Sequence, residues 1–185
     1  AEGPRLGVLA AGDNSGDRGI PHYQALPGLF TVAAYRERYR DEIRYLDAHL
    51  ARLVAGLDAL GEPPVVLLTS DHGEAFGEDD YYFAHGHSVG LDQIRVPLLL
   101  RPRRADPSAA PQVIDTPVGG VDIAPTLLRA AGVEVPDDWP GRPLPVAGLG
   151  TEAPGDRALF AEHAHRAAVV QGRRYLARDR HKVVA

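Results

Sequence analysis

The apolar side chains Tyr35, Tyr39, Ile43, Leu46, Leu50, Leu53, Leu57 and Leu60 recur at intervals of three and four. That spacing lays one continuous stripe along an α-helix. Arg36, Arg40, Asp41, Arg44, Asp47 and Arg52 fill the other faces, and Gly61 and Pro63 end the pattern. A helix striped in this way is expected to lie on a sheet or on another helix. Val65-Val66-Leu67-Leu68 follows at once, an unbroken apolar run of the kind found in parallel strands covered on both faces. Helix, Pro-containing turn and buried strand in that order is the grammar of an α/β fold. The strand runs directly into Thr69-Ser70-Asp71-His72-Gly73-Glu74. In open α/β sheets, ligands gather beyond the carboxyl ends of the strands.

The rest of the chain fits around this unit. Residues 1–30 form a loop-rich lead-in, where Asp13, Ser15 and Asp17 alternate as in the first half of a calcium loop. The EF-hand turn glycine falls one place late, at Gly19, and the twelfth position is Gln24 rather than Glu, so a solvated loop is the reading. A second strand is expected over Val96 to Leu100, with Pro97 confining it to an edge or bulge. Asp122 to Gly132 reads as a helix that Asp122 caps, with Pro125 in its first turn and Gly132 at its end. Residues 134–156 are a Pro- and Gly-rich loop holding Trp139. Leu159 to Ala164 and Ala167 to Ala177 alternate like strands, with Gln171-Gly172-Arg173 as a hairpin turn. The sequence opens Ala1-Glu2-Gly3-Pro4 and contains no Met, so residues 1–185 read as a single partial domain, a fragment.

Composition excludes several functions. The formal net charge is −5 and the charges are mixed along the chain, so the basic field that phosphate backbones require is missing and nucleic acid is not a partner. With no Cys there is neither a thiolate site nor a Cys nucleophile, and any metal is held by His, Asp or Glu. No apolar run approaches the roughly 20 residues of a membrane span, and no signal peptide opens the chain. It reads as soluble as presented, and nothing in it fixes a compartment or an oligomeric state.

The densest chemistry lies in Asp71-His72-Gly73-Glu74, Gly77-Glu78 and His85-Gly86-His87-Ser88. Adjacent carboxylate and imidazole can grip one divalent ion if the chain turns sharply, which Gly73 permits. Alone, such a pair is most often a cap or a surface pair. His85 and His87 can reach back as ligand, clamp or leaving-group acid. Gly86-His87-Ser88-Val89-Gly90 also matches the G-x-S-x-G elbow of serine hydrolases, with His163 or His165 and Asp115 or Asp122 as partners for Ser88. That elbow needs a strand before it and a helix after it, and only six residues separate Gly90 from Pro97. His163 and His165 would share one strand face, but without a third ligand they read as ordinary strand-end residues. Arg101, Arg103 and Arg104 read as a solvated edge.

Leu68-Thr69-Ser70-Asp71-His72-Gly73-Glu74, His85-Gly86-His87-Ser88 and Ile94-Arg95-Val96-Pro97-Leu98-Leu99 together resemble the sulfatase family of the alkaline-phosphatase superfamily. Asp122 to Leu128, Ala131-Gly132-Val133 and Pro140-Gly141-Arg142-Pro143-Leu144 are similar to the family's next segment, in order and at matching distances. The resemblance runs from about residue 22 to the end. It implies an alkaline-phosphatase-like α/β sheet flanked by helices, with a small C-terminal strand hairpin. It implies Asp71 and His72 as ligands of a divalent metal, calcium, manganese or zinc. It also implies His85 as the basic residue that contacts the sulfuryl or phosphoryl oxygens and protonates the leaving group, and it leaves His87 without a role. The implied partner is a small sulfate or phosphate ester. An Asp-His pair where many members have Asp-Asn leans toward phosphate and phosphonate monoester hydrolases, choline-sulfatase-like enzymes and phosphoethanolamine transferases, while a non-catalytic interaction domain is a further reading. The family nucleophile pattern C/S-x-P-x-R and its acidic N-terminal metal segment are absent, and Gly90 and Leu91 stand where the family often has Tyr and Glu.

Overall fold

The computed structural model describes residues 3–103, 111–144, 157–164, 166–179 and 182–184. Chain contacts divide them between two compact units, one built from residues 1–61 and 70–97 and the other from 62–69 and 98–185. The fold is α/β.

The first unit holds the long helix α1, Val32–Asp58. Thr31 caps it, its Oγ1 accepting from the Ala34 N–H at 3.3 Å, which satisfies one of the amides a helix start leaves open. The first turn of α1 is buried by Tyr35. The Tyr35 ring stacks on Phe83 at 4.0 Å between centroids, and its hydroxyl donates to the Gln24 carbonyl (2.8 Å) and accepts from the Leu26 N–H (3.1 Å). Ile20, Tyr35 and Phe83 form the centre of this core, with Leu6, Leu29, Phe30, Val32, Phe76 and Tyr82 around them. Beyond that turn the stripe is open, Ile43 being 51% and Leu53 56% exposed. The expected seat of the helix on a sheet or helix is therefore not what covers it among the described residues: loops do, and only at its first turns. Periodicity marks a face as apolar without naming its cover. The same unit contains the single-turn helix α2, Leu91–Ile94.

In the second unit, β1 (Val66–Thr69) pairs with β2 (Leu98–Arg101). The pairing is antiparallel, with Val66 opposite Arg101 and Thr69 opposite Leu98, not parallel as the apolar run suggests. A run covered on both faces reads alike in either direction, and strand direction is set by the connection. Pro97 stands just before β2 rather than inside it, because a proline has no N–H to give to the ladder.

Helix α3, Ile123–Ala130, ends on Gly132 at φ +73°, where the Val133 N–H returns to the Leu128 carbonyl at 2.9 Å, a left-handed glycine stop. Asp122 precedes α3 but does not cap it with its side chain. Its buried carboxylate instead accepts from the Gly119 N–H (2.8 Å) and the Arg142 N–H (2.8 Å) and pairs with Arg157. Thr126 continues the clasp, its hydroxyl donating to the Asp122 carbonyl and accepting from the Leu144 N–H (2.9 Å).

The chain finishes in an antiparallel meander of β3 (Leu159–His163), β4 (Arg166–Gln171), β5 (Arg174–Asp179) and β6 (Lys182–Val184). The expected hairpin is its centre: Gln171 faces Arg174, and Gly172 turns the chain at φ +56°. Among the described residues no helix is long and apolar enough to cross a membrane.

Candidate active site

Ser70 to Glu74 form the first wall of the site. The Ser70 hydroxyl donates to the His72 carbonyl at 2.7 Å and folds the segment into a tight turn. Asp71 Oδ1 accepts from the His72 N–H at 3.0 Å and lies 3.7 Å from His72 Nε2. Two ligands of one tetrahedral ion with bonds near 2.1 Å stand about 3.4 Å apart, so these two atoms have the spacing of a shared ion. The Asp71 carboxyl is held below the ordinary carboxylate range, first by its own backbone N–H, then by the imidazole of His72 and by the His72 N–H. His72 Nδ1 lies 2.7 Å from the Gly73 carbonyl. A carbonyl only accepts, so Nδ1 is the donor, and in the neutral ring Nε2 keeps its lone pair, the tautomer-fixing arrangement seen behind metal-ligating histidines.

His85 comes from the second wall. Its ring stacks on that of His72 at 3.6 Å and 20°, and its Nδ1 is 3.4 Å from Glu74 Oε2. The Glu74 side chain is 18% exposed, against 40% for His85 and 86% for Asp71. A short ladder sets the two walls side by side: the Ala75 N–H donates to the Ala84 carbonyl (3.2 Å) and the Phe83 N–H to the Ala75 carbonyl (2.7 Å). Gln93, 5% exposed, ties them from the far side. Its carbonyl accepts from the Gly73 N–H (2.7 Å), and its Oε1 accepts from the Gly86 N–H (3.0 Å) and the Ser88 N–H (3.3 Å). One residue thereby anchors the neighbours of both histidines, that of His72 through its main chain and that of His85 through its side chain. Gly73 is required here for space: a Cβ on it would lie 2.0 Å from the Asp92 carbonyl oxygen.

The structure thus brings Asp71, His72 and His85 together. Sequence reasoning gave no role to Glu74, although it belongs to the same four-residue run, and passed over Gln93, which no periodicity or motif distinguishes. His87 turns elsewhere and stacks on Tyr81 at 4.6 Å. Ser88 does not sit on an elbow: no strand precedes it, and its Oγ accepts from the Gly90 N–H at 2.8 Å. His163 closes β3 and is exposed, Asp115 is exposed, and Asp122 is committed to the Arg157 clasp. His165 and Arg104 lie outside the described residues.

Residues 10–133 match the family model described as Sulfatase. The chain is 32% identical over 98 residues to the uncharacterized sulfatase YidJ of Escherichia coli K12, covering 52% of this chain and 19% of that protein. It is 33% identical over 126 residues to the steryl-sulfatase of Mus musculus, covering 60% and 20%. It is 32% identical over 111 residues to the choline-sulfatase of Rhizobium meliloti, covering 59% and 20%. A solved structure, BT4656 in complex with its substrate D-glucosamine-2-N,6-O-disulfate, superposes with a TM-score of 0.55 at 25% identity, over 73% of this chain and 29% of that one. The chain spans about a fifth of the length of these curated relatives.

Proposed function

This chain belongs to the sulfatase family, and on that premise we propose that residues 70–94 form part of a metal-dependent centre for sulfate ester hydrolysis. The observation that carries the reading is the convergence, within one pair of loops, of the Asp71 carboxylate, the Nε2 edge of His72 and the stacked ring of His85. One carboxylate oxygen and one imidazole nitrogen suit calcium, manganese or zinc. Among the described residues no group of three His, Cys, Asp or Glu side chains is placed to hold a metal ion by itself, so Asp71 and His72 would supply part of a coordination sphere. When bound, the ion polarises the ester and offsets charge building on its oxygens.

The remaining work belongs to the chain. Asp71 supplies fixed negative charge, and the Gly73 carbonyl fixes the orientation of His72. His85 faces the sulfuryl oxygens, and when its ring carries a second proton, on Nε2, it can pass that proton to the leaving oxygen. The nucleophile is not among these residues, since C/S-x-P-x-R occurs nowhere in the sequence. The substrate class is a small sulfate ester, with a phosphate or phosphonate monoester as the competing choice.

Calorimetric titration of the purified chain with manganese, zinc and calcium tests the assignment. Asp71→Ala and His72→Ala are each expected to weaken binding at least tenfold, the scale on which metal sites respond even to losses outside the ligands themselves. His85→Ala is expected to leave affinity unchanged. Equal affinity in all three variants and the parent would overturn the ligand assignment.

A further inference from the structure

We infer that Glu74 is the positioning residue of His85: its carboxylate accepts a hydrogen bond from the Nδ1–H and leaves Nε2 as the ring atom presented to substrate. The inference rests on the reading that His85 faces the ester, and it deepens that reading by naming the reactive atom and what selects it. Glu74 is the most enclosed acid of the cluster, and a carboxylate withdrawn from water needs donors. Both its oxygens have one: Oε1 accepts from the Ala75 N–H at 3.3 Å and Oε2 faces His85 Nδ1 at 3.4 Å. Residue 74 is not beside residue 85 by chance of side-chain rotation, because the backbone ladder of Ala75 with Phe83 and Ala84 fixes the two in register.

Three approaches to the His85 ring then account for its orientation. One face lies on His72, the Nδ1 edge lies on Glu74, and the Nε2 edge is left for a ligand. His72 shows the same device with a backbone acceptor, its Nδ1 held by the Gly73 carbonyl. Both rings are anchored through Nδ1 and both offer Nε2, and which nitrogen carries the proton is set by the bond the other makes.

Long-range proton–nitrogen NMR of the 15N-labelled chain reads this directly, in alkaline buffer where imidazoles are neutral, with ring signals assigned through His72→Gln and His85→Gln. The expected result is a pyrrole-like Nδ1 and a pyridine-like Nε2 for His85. Glu74→Gln, whose amide oxygen still accepts, keeps that signature. Glu74→Ala moves it toward the averaged signals of an untethered histidine while the His72 ring stays as it was. A proton on Nε2 in the parent, or an unchanged His85 signature in Glu74→Ala, would overturn the inference. The parent spectrum decides even if Glu74→Ala fails to fold. Inorganic sulfate then separates this from the reading beneath it. A sulfate-dependent shift at His85 Nε2 supports the substrate-facing role, and its absence beside an intact tautomer signature overturns that role while the Glu74–His85 linkage stands.

Discussion

At the scale of single residues, Gly73 and Asp92 carry the sharpest expectations. A turn is the obvious reason for a glycine after Asp-His, yet Gly73 has no positive φ; the Asp92 carbonyl occupies the space where its side chain would be. That oxygen belongs to the backbone of α2 and cannot rotate away. Gly73→Ala is therefore expected to cost about 1–3 kcal/mol, the usual range for overpacking, read from urea unfolding, and to weaken metal binding through His72. Asp92 acts through charge. Burial lifts its carboxyl above the ordinary value, only partly offset by the Gln93 amide. The native state thus binds more protons than the unfolded chain between the ordinary carboxylate value and the raised one, so this group lowers stability as pH rises through that window. Asp92→Asn removes the penalty. Its melting temperature is expected to exceed the parent's above the window and to match it below the ordinary carboxylate value.

At the scale of elements, α3 shows how one buried group can organise a segment. Asp122 joins the loop before the helix to the Arg142 amide and to Arg157, while Thr126, one turn on, binds Leu144. Helix, returning loop and the start of the meander are therefore sewn together by one carboxylate. Removing one partner of a buried pair leaves the other charge without compensation. Asp122→Ala is expected to cost about 3–5 kcal/mol by that argument, seen as a lowered midpoint in chemical unfolding. The metal binding proposed for Asp71 and His72, in the other unit, is expected to persist in the variant at temperatures where it remains folded.

At the scale of the whole molecule, the sequence showed which elements exist better than what they touch. The period of α1, the Gly172 turn and the Gly132 stop are local signals, and the structure follows them. The direction of β1 against β2 and the cover of the α1 stripe depend on partners distant in the chain, which a local pattern does not encode. The site divides the same way. Asp71, His72 and His85, on which the proposed centre rests, stand in a motif that sequence alone displays. Glu74 and Gln93 act through geometry, and a glutamate or a glutamine carries no mark of that use. At this scale the chain alone is expected to show no metal-dependent turnover of aryl sulfate or aryl phosphate in a chromogenic assay, since the nucleophile pattern is missing from its sequence. Detectable turnover abolished by chelator would sink that expectation. Phe83, finally, lies in the left-handed region at φ +51° beneath the Tyr35 ring, two residues before His85. A bulky residue stays in that conformation only where its surroundings hold it. The loop is thereby fastened by a buried pin two residues ahead of His85. The pin is seated against the first turn of α1, so a helix far upstream in sequence braces the loop that carries His85.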